Sequence, residues 1–458
     1  MTLAEYTNTL IGKRIDVIGA GVSNTPLIEH LLQSGCSVTV RDRNDALDIA
    51  GRLESLGARL RLGSDYLAEL DADIIFRTPG MHPDTPELAA AKARGAVVTS
   101  EMELFFSLCP CKIIAITGSD GKTTTTTVIA MILGRAGFTV HLGGNIGRPL
   151  LTSVPNMNPD DFVVLELSSF QLHSMYCRPD IAVITNITPN HLDVHPDMAD
   201  YINAKRQIFV NQDENCRLIL NLDDETSSGF GSGAPGQTGF FTRRRDALQN
   251  GAFLRDGTVF IVKNGSVEAL MPAAAIKIPG LHNVENYMAA FSALDGLVPR
   301  ECFVEVAETF GGVSHRLELV RELRGVRYYN DSIASSPTRT LAGLRSFPEK
   351  TILIAGGYDK HIPFDELGIE IPAYVKALFL TGSTADSIRN AVVSAPGFVL
   401  GSLPISVIDD FTDAVLAAHN AAESGDAVLL SPACASFDKF KNFEQRGDFF
   451  REIVLSLE

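Results

Sequence analysis

A β-rich run at residues 112–116 feeds straight into Thr117-Gly118-Ser119-Asp120-Gly121-Lys122-Thr123-Thr124, and a helical stretch follows at 128–134. Strand, glycine-bearing loop and helix in that order commit the middle of the chain to a parallel α/β sheet. Such a loop is a site for phosphate. Its glycines let backbone N–H groups turn inward around an anion, and the helix N-terminus adds the positive end of its dipole. In that setting Lys122 supplies a cation to β- and γ-phosphates, and the Thr123 hydroxyl faces Mg²⁺. The spacing is tighter than G-x-x-x-x-G-K-[ST], because only Ser119 and Asp120 separate the two glycines. A polar strand-to-helix turn with a solvated Lys122 is the plainer alternative.

The same alternation runs through the rest of the chain. Strands are expected at 14–18, 37–40, 73–76 and 97–99, with helices at 26–33 and 86–94. Further buried strands are expected at 162–166, 181–185 and 217–220. Between 227 and 277 the pattern changes: Gly, Ser and Pro accumulate, and 253–260 reads as a hairpin turning at Asp256-Gly257. Pro279-Gly280 closes this segment and a helix opens at Asn283. Past Gly311-Gly312, strands at 326–329, 351–355, 377–380 and 427–430 mark a third α/β unit. At roughly 150 residues per domain, 458 residues agree with three domains. They are placed at 1–102, 103–312 and 313–458. The first and third are expected to be Rossmann-like, and the central one P-loop ATPase-like with a small antiparallel insertion.

The 55 acidic residues outnumber the 39 Lys and Arg, for a formal net charge of −16. So acidic a surface argues against sequence-independent binding to nucleic acid or to anionic membrane, both of which need cations. No apolar run approaches the roughly 18 residues of a spanning helix, and Met1 to Leu10 lacks the basic start of a secretory signal. Seven scattered cysteines fit a reducing compartment, with Cys109 and Cys111 expected as two buried thiols. A cytoplasmic protein without membrane or nucleic-acid partners is expected.

Four other features bear on chemistry. Gly19-Ala20-Gly21-Val22-Ser23-Asn24 follows a strand but carries Asn24 where a dinucleotide fingerprint has its third glycine. It leaves open a nicotinamide-dependent oxidoreductase and a site for a uridine diphosphate. Glu166 ends an apolar strand, where α/β proteins place ligands, and beside a phosphate loop its task is to hold Mg²⁺. Asn190-His191-Leu192-Asp193-Val194-His195 is not H-E-x-x-H, and Pro189 and Pro196 argue against a regular helix there. His195 reads as a hydrogen-bonded structural residue. Periodicity alone makes Lys205 a solvated lysine on a helix.

Taken in order, the loop 117–124, Gly143-Gly144-Asn145-Ile146-Gly147, Glu166 with Ser168-Ser169, the His191 segment, Lys205, His282-Asn283 with Asn286, and His315-Arg316 resemble the Mur ligase family of ATP-dependent amino-acid ligases. The run Ser431-Pro432-Ala433-Cys434-Ala435-Ser436-Phe437-Asp438, continuing to Phe443-Glu444-Gln445-Arg446-Gly447, resembles the member that joins D-glutamate to UDP-N-acetylmuramoyl-L-alanine in peptidoglycan synthesis.

The resemblance implies that ATP converts the substrate's terminal carboxylate into an acyl phosphate, which the amine of D-glutamate attacks through a tetrahedral intermediate. It implies that Lys122, Glu166, His191 and Lys205 are catalytic. ATP contacts would come from Gly118, Ser119, Asp120, Gly121, Lys122, Thr123 and Thr124, with Asn283, Asn286, Arg316 and Asp331. Two Mg²⁺ ions would be held by Thr123, Glu166, His191 and Lys205, the lysine as an N-carboxylated carbamate. Val22, Ser23, Asp42, Arg43, Gly80 and Asn145 would meet the UDP-substrate, and Ser335, Lys360, Ser436 and Phe443 the D-glutamate. The partners are then small molecules and the protein a monomer. One departure stands out: Ile333 occupies a position where some relatives have a lysine, which throws more of the acceptor's charge onto Lys360. The rival readings are another amide ligase of the folylpolyglutamate synthetase kind, the oxidoreductase, and a non-catalytic ATP-driven switch.

Overall fold

The computed structural model describes residues 1–173, 175–189, 195–246 and 248–458. Among the described residues three sheets form. The first has strands β1 (Arg14–Ile18), β2 (Ser37–Asp42), β3 (Arg59–Leu62), β4 (Ile74–Phe76) and β5 (Val97–Thr99), all parallel, in the order β3-β2-β1-β4-β5. That order reverses direction at β1, and the crevice at such a switch point is where open α/β sheets take ligands.

The second sheet has nine strands: β6 (Lys112–Thr117), β7 (Val140–Gly144), β8 (Phe162–Glu166), β9 (Ile181–Ile184), β10 (Arg217–Asn221), β11 (Gln237–Thr242), β12 (Gly251–Arg255), β13 (Thr258–Lys263) and β14 (Ser266–Pro272). They run in the order β14-β13-β12-β11-β10-β9-β6-β8-β7. β6, β8 and β9 are buried at almost every position, as strands covered on both faces must be. The expected antiparallel insertion is present as β12–β13–β14, joined to the edge of the parallel sheet. β11 and β12 continue the parallel sheet, and the antiparallel pairing begins only at β12–β13, around the Asp256-Gly257 turn.

The third sheet contains β15 (Glu318–Leu323), β16 (Val326–Asn330), β17 (Thr351–Ala355), β18 (Val375–Leu380), β19 (Ile405–Val407) and β20 (Ala427–Leu430), in the order β15-β16-β20-β17-β18-β19. β15 is antiparallel to its neighbour and the others are parallel.

The chain divides into two compact units, Met1–Ala273 with Glu285–Val306, and Ala274–Val284 with Ala307–Glu458. The first two sheets share a unit because one apolar cluster runs through both. Val17, Val38 and Phe76 of the first join Ile113, Val163 and Leu165 of the second by way of Met102, Phe105 and Leu108. Those last three lie on the helix Glu101–Leu108, across which the expected limit at 102/103 falls. In the second unit the sheet is covered on both faces by separate apolar clusters, one around Leu353 and Leu378 and one around Val428 and Phe450.

Candidate active site

The C-terminal ends of β6, β7, β8 and β9 lie level with one another. Ile116 pairs with Glu166, Gly144 pairs with Glu166 from the other side, and Thr117 pairs with Ile184. The phosphate loop therefore opens beside Glu166. Gly118 has φ +151° and an added Cβ would sit 1.9 Å from Thr185 Oγ1; Gly121 has φ +77° and its Cβ would sit 2.1 Å from Asn286 Oδ1. Both positions demand glycine. Asn186 pins the loop, taking the Ser119 N–H on its carbonyl at 2.9 Å and the Asp120 N–H on Oδ1 at 2.9 Å. The Ser119 hydroxyl turns inward, donating to Thr188 O at 2.8 Å and lying 2.9 Å from Tyr201 OH.

The amides of Ser119 and Asp120 are thus already engaged. The donors facing an anion are those of the first turn of helix Lys122–Arg135, which have no acceptor within the helix. Gly121 caps this helix and brings no side chain to it. The amides of Lys122, Thr123 and Thr124, with the helix dipole behind them, form a cradle suited to phosphate oxygens. Lys122 Nζ folds over the loop and donates to Gly118 O and Ser119 O, each at 2.9 Å.

The solvated reading of Lys205 is overturned. Lys205 is 2% exposed, its Nζ donates to the same Gly118 carbonyl at 2.7 Å, and it lies 4.6 Å from the centre of the Tyr201 ring. The helix Met198–Val210 turns Tyr201, Ala204, Lys205, Ile208 and Phe209 inward, so Lys205 sits in the apolar stripe. Burial drives its ammonium pKa well below the usual range, and the neighbouring Lys122 charge pushes the same way. Two full ammonium charges on one carbonyl oxygen repel, which further disfavours the charged form of the buried one.

Glu166 is 2% exposed. Its Oε1 accepts from Asn145 Nδ2 at 2.8 Å, while Oε2 is buried with no hydrogen-bond partner among the described residues. An orphaned carboxylate oxygen next to a phosphate cradle fits a hard cation such as Mg²⁺, which takes oxygen ligands. Thr123, in the first helical turn, and Lys205, if carboxylated, are the other described candidates to hold it. His191 lies outside the described residues. His195 is the structural histidine expected: Nδ1 meets Asp200 Oδ2 at 2.6 Å and Nε2 meets Ser169 Oγ at 2.9 Å.

A cavity of about 370 Å³ opens between the first and second sheets, lined by Val22, Ser23, Gly80 and Asn145, together with Thr78 and Gln171. Asn145 serves two surfaces, this wall and Glu166. Asp42 and Arg43 do not line the cavity. Asp42 braces the turn after β1, accepting from Ala20 N at 2.8 Å, and Arg43 is exposed. Asn24 explains the missing third glycine, since its Nδ2 donates to Ile18 O and Gly19 O, both at 3.0 Å, closing the loop from inside.

In the second unit, Asp331 follows β16 and is fully buried. Its Oδ2 accepts from Ser431 Oγ at 2.7 Å and Oδ1 from Leu317 N at 3.3 Å. Burial pushes its pKa up to about 7, against the pull of Arg316 and Arg339. The helix expected to open at Asn283 begins two residues earlier, at Leu281, and Asn283 Nδ2 donates to Pro279 O at 2.5 Å. Ser335 is half-buried, Lys360 exposed and Ser436 buried. Phe443 opens the last helix and meets the His315 ring edge-on.

Sequence reasoning missed the residue that joins these pieces. Arg446 is 2% exposed and donates to Ser332 Oγ, Ser332 O, Cys434 O and Ala435 O at 2.9–3.0 Å. It thereby ties the loop after β16 to the loop after β20, and burial lowers its pKa to about 10. Asn186 and Tyr201, which shape the phosphate loop, were also passed over. A buried polar side chain leaves no mark in a hydropathy pattern.

Comparison with known proteins agrees from end to end. Family models match in chain order: the MurD-like N-terminal domain of Mur ligases at 13–100, the Mur ligase middle domain at 116–294, and the Mur ligase glutamate ligase domain at 315–434. The chain is 48% identical over 466 residues to a UDP-N-acetylmuramoylalanine--D-glutamate ligase of Acetivibrio thermocellus, covering 100% of this chain and 99% of that protein. It is 47% identical to the ligase of the same name from Ruminiclostridium cellulolyticum, at 100% and 99% coverage. Among solved structures, UDP-N-acetylmuramate-alanine ligase of Thermotoga maritima superposes with a TM-score of 0.57 at 18% identity, covering 97% of this chain and 99% of that one. The MurF ligase of the same organism, in complex with ADP, gives 0.56 at 16% identity, with 98% and 96% covered. Those two speak to the fold, and the near-half-identical full-length relatives speak to kinship: the chain belongs to the Mur ligase family.

Proposed function

We propose that this chain joins D-glutamate to the terminal carboxylate of UDP-N-acetylmuramoyl-L-alanine at the expense of ATP, a step in making peptidoglycan precursors. The observation that carries the proposal is the convergence at one sheet edge of Lys122, Lys205 and the unpaired Glu166 oxygen, in a chain nearly half identical to ligases of that name. A carboxylate is a poor electrophile, and two anions must be brought together before it can be activated. The substrate carboxylate attacks the γ-phosphorus and ADP departs. The D-glutamate amine, once deprotonated, attacks the acyl carbon, the C–O bond to phosphate breaks, and inorganic phosphate leaves. Lys122 and the helix amides draw charge from the transferring group as it moves.

Residues 1–102 are read as receiving the UDP moiety at the cavity of Val22, Ser23, Gly80 and Asn145, residues 103–312 as receiving ATP, and residues 313–458 the amino acid. Asn283, Asn286, Arg316 and Asp331 are read as ATP contacts, and Asn286 packs against Gly121 of the phosphate loop. Ser335, Lys360, Ser436 and Phe443 are the D-glutamate set. Thr123, Glu166, His191 and Lys205 would hold two Mg²⁺ ions, which when bound neutralise phosphate and carboxylate charge. Only a neutral amine adds CO₂, and burial favours that form at Lys205: the N–C bond forms, a proton leaves, and an anionic carbamate oxygen takes the amine's place. The reaction is read as cytoplasmic, where ATP is supplied, and the protein as a monomer.

Phosphate release with UDP-N-acetylmuramoyl-L-alanine, ATP and Mg²⁺ tests the proposal. Release is expected with D-glutamate and not with L-glutamate, lysine or diaminopimelate. Release with another acceptor, or none without a folate substrate, would point to a different amide ligase.

A further inference from the structure

A second cluster of ligating side chains lies in the first unit, away from the phosphate loop. It forms where the loop after β4 meets the end of helix Ser169–Leu172 and the first turn of helix Met198–Val210. Asp200 is its centre. Its Oδ1 meets His173 Nε2 at 2.8 Å, its Oδ2 meets His195 Nδ1 at 2.6 Å, and His82 Nε2 stands 3.8 Å from Oδ2. The His82 and His173 rings are 4.6 Å apart, edge to face. His195 spends its other nitrogen on Ser169 Oγ. His82 Nε2 and His173 Nδ1, by contrast, are buried with no hydrogen-bond partner among the described residues. One carboxylate has been given three imidazoles and satisfies two of them. Orphaned ring nitrogens in such a place need an explanation.

We propose that His82, His173 and Asp200 form a binding site for a divalent transition-metal ion of the zinc class, separate from the Mg²⁺ expected at Glu166. One ligand atom from each residue lies within 4.8 Å of the other two. Ligands about 2.1 Å from a tetrahedral ion stand about 3.4 Å apart, so the set closes on an ion with a movement of about 1 Å. Two imidazoles and a carboxylate favour Zn²⁺ or Co²⁺ over Mg²⁺, and three protein ligands leave a position for water. The side chains retain 16–29% exposure, enough for an ion to enter. His82 Nδ1 now accepts the Asp84 N–H at 3.2 Å. Coordination through Nε2 moves the ring proton to Nδ1, where the Asp84 carboxylate, 4.0 Å away, becomes its acceptor. The ion ties the loop of Gly80, on the wall of the substrate cavity, to the helix that carries Lys205. It is thus a staple across the first unit, and it does not depend on the ligase reading.

Co²⁺ alone is the probe. The full chain, stripped with chelator and held in excess Mg²⁺ to fill oxygen-ligand sites, is titrated and followed by visible absorption and calorimetry. One equivalent is expected to bind with the strong visible bands of four- or five-coordinate, nitrogen-ligated Co²⁺, and Zn²⁺ should displace it. His82→Ala and His173→Ala are each expected to weaken binding about tenfold or more, with melting in chelator reporting that both remain folded. Glu166→Gln should leave the bands unchanged. Absence of the bands, their survival in His82→Ala, or their loss in Glu166→Gln would overturn the site.

Discussion

Replacing Lys205 with methionine separates what the residue does for the reaction from what it does to the fold. The amine is buried and its ammonium form is disfavoured by desolvation and by Lys122. Each unit by which the folded pKa falls below the unfolded one, down to the working pH, removes about 1.4 kcal/mol of stability, because the proton binds the unfolded chain more tightly. Against this, methionine gives up one hydrogen bond, worth about 1 kcal/mol. The Gly118 carbonyl is not orphaned, since Lys122 Nζ still donates to it at 2.9 Å, and methionine fills a similar volume. The sign expected is stabilising.

The pH dependence follows from the same linkage. The unfolded chain binds the extra proton between the depressed folded pKa and 10.5, so wild-type stability rises with pH through that window. The advantage of Lys205→Met is greatest below the folded pKa and vanishes toward 10.5. Calorimetric melts of both proteins across neutral to alkaline pH, in bicarbonate-free buffer so that no carbamate forms, read this directly. Ligase turnover of the variant should be lost, because methionine cannot take up CO₂. A variant destabilised by about 2 kcal/mol or more, equally at every pH, would refute the neutral-amine reasoning.

Three further outcomes are expected. Gly121→Ala places a Cβ 2.1 Å from Asn286 Oδ1 at φ +77°. It should cost about 1–3 kcal/mol and lower ATP-dependent turnover by about 10²-fold, measured by melting and phosphate release. Asp331, with a folded pKa of about 7 against an ordinary 3.8, contributes stability that is complete below 3.8 and lost as pH rises through about 7. Relative to Asp331→Asn, wild-type melting temperature should therefore fall across that interval. Arg446→Met leaves four buried acceptor contacts unfilled. It should destabilise the second unit by about 3 kcal/mol and raise the KM for D-glutamate.

The strands legible in the sequence were those whose physics is local and apolar. β1, β5, β8, β17 and β20 match their expected limits because each is a short run in which aliphatic residues predominate. β3, with Arg59-Leu60-Arg61-Leu62, and β7, with Val140-His141-Leu142-Gly143-Gly144, went unread. Each is an edge strand whose charged or small residues dilute the signal. β15 is likewise an edge strand, its apolar pattern interrupted by Glu318, Arg321 and Glu322. Lys205 was misread although its signal was present: it falls four residues after Tyr201 and four before Phe209, on the buried stripe. A charged residue on an apolar stripe invites two readings, and periodicity does not choose between them. The roles of Asn186 and Arg446 were out of reach, since each acts on backbone groups remote in sequence.

Backbone amides at the head of helix Lys122–Arg135 and the Lys122 ammonium are proposed to grip a nucleotide triphosphate beside Glu166. The most direct measurement is amide formation and phosphate release by Lys122→Ala with saturating substrates. Both should fall by about 10²–10³-fold or more, in a protein whose melting is little changed. Undiminished amide formation by that variant would contradict it.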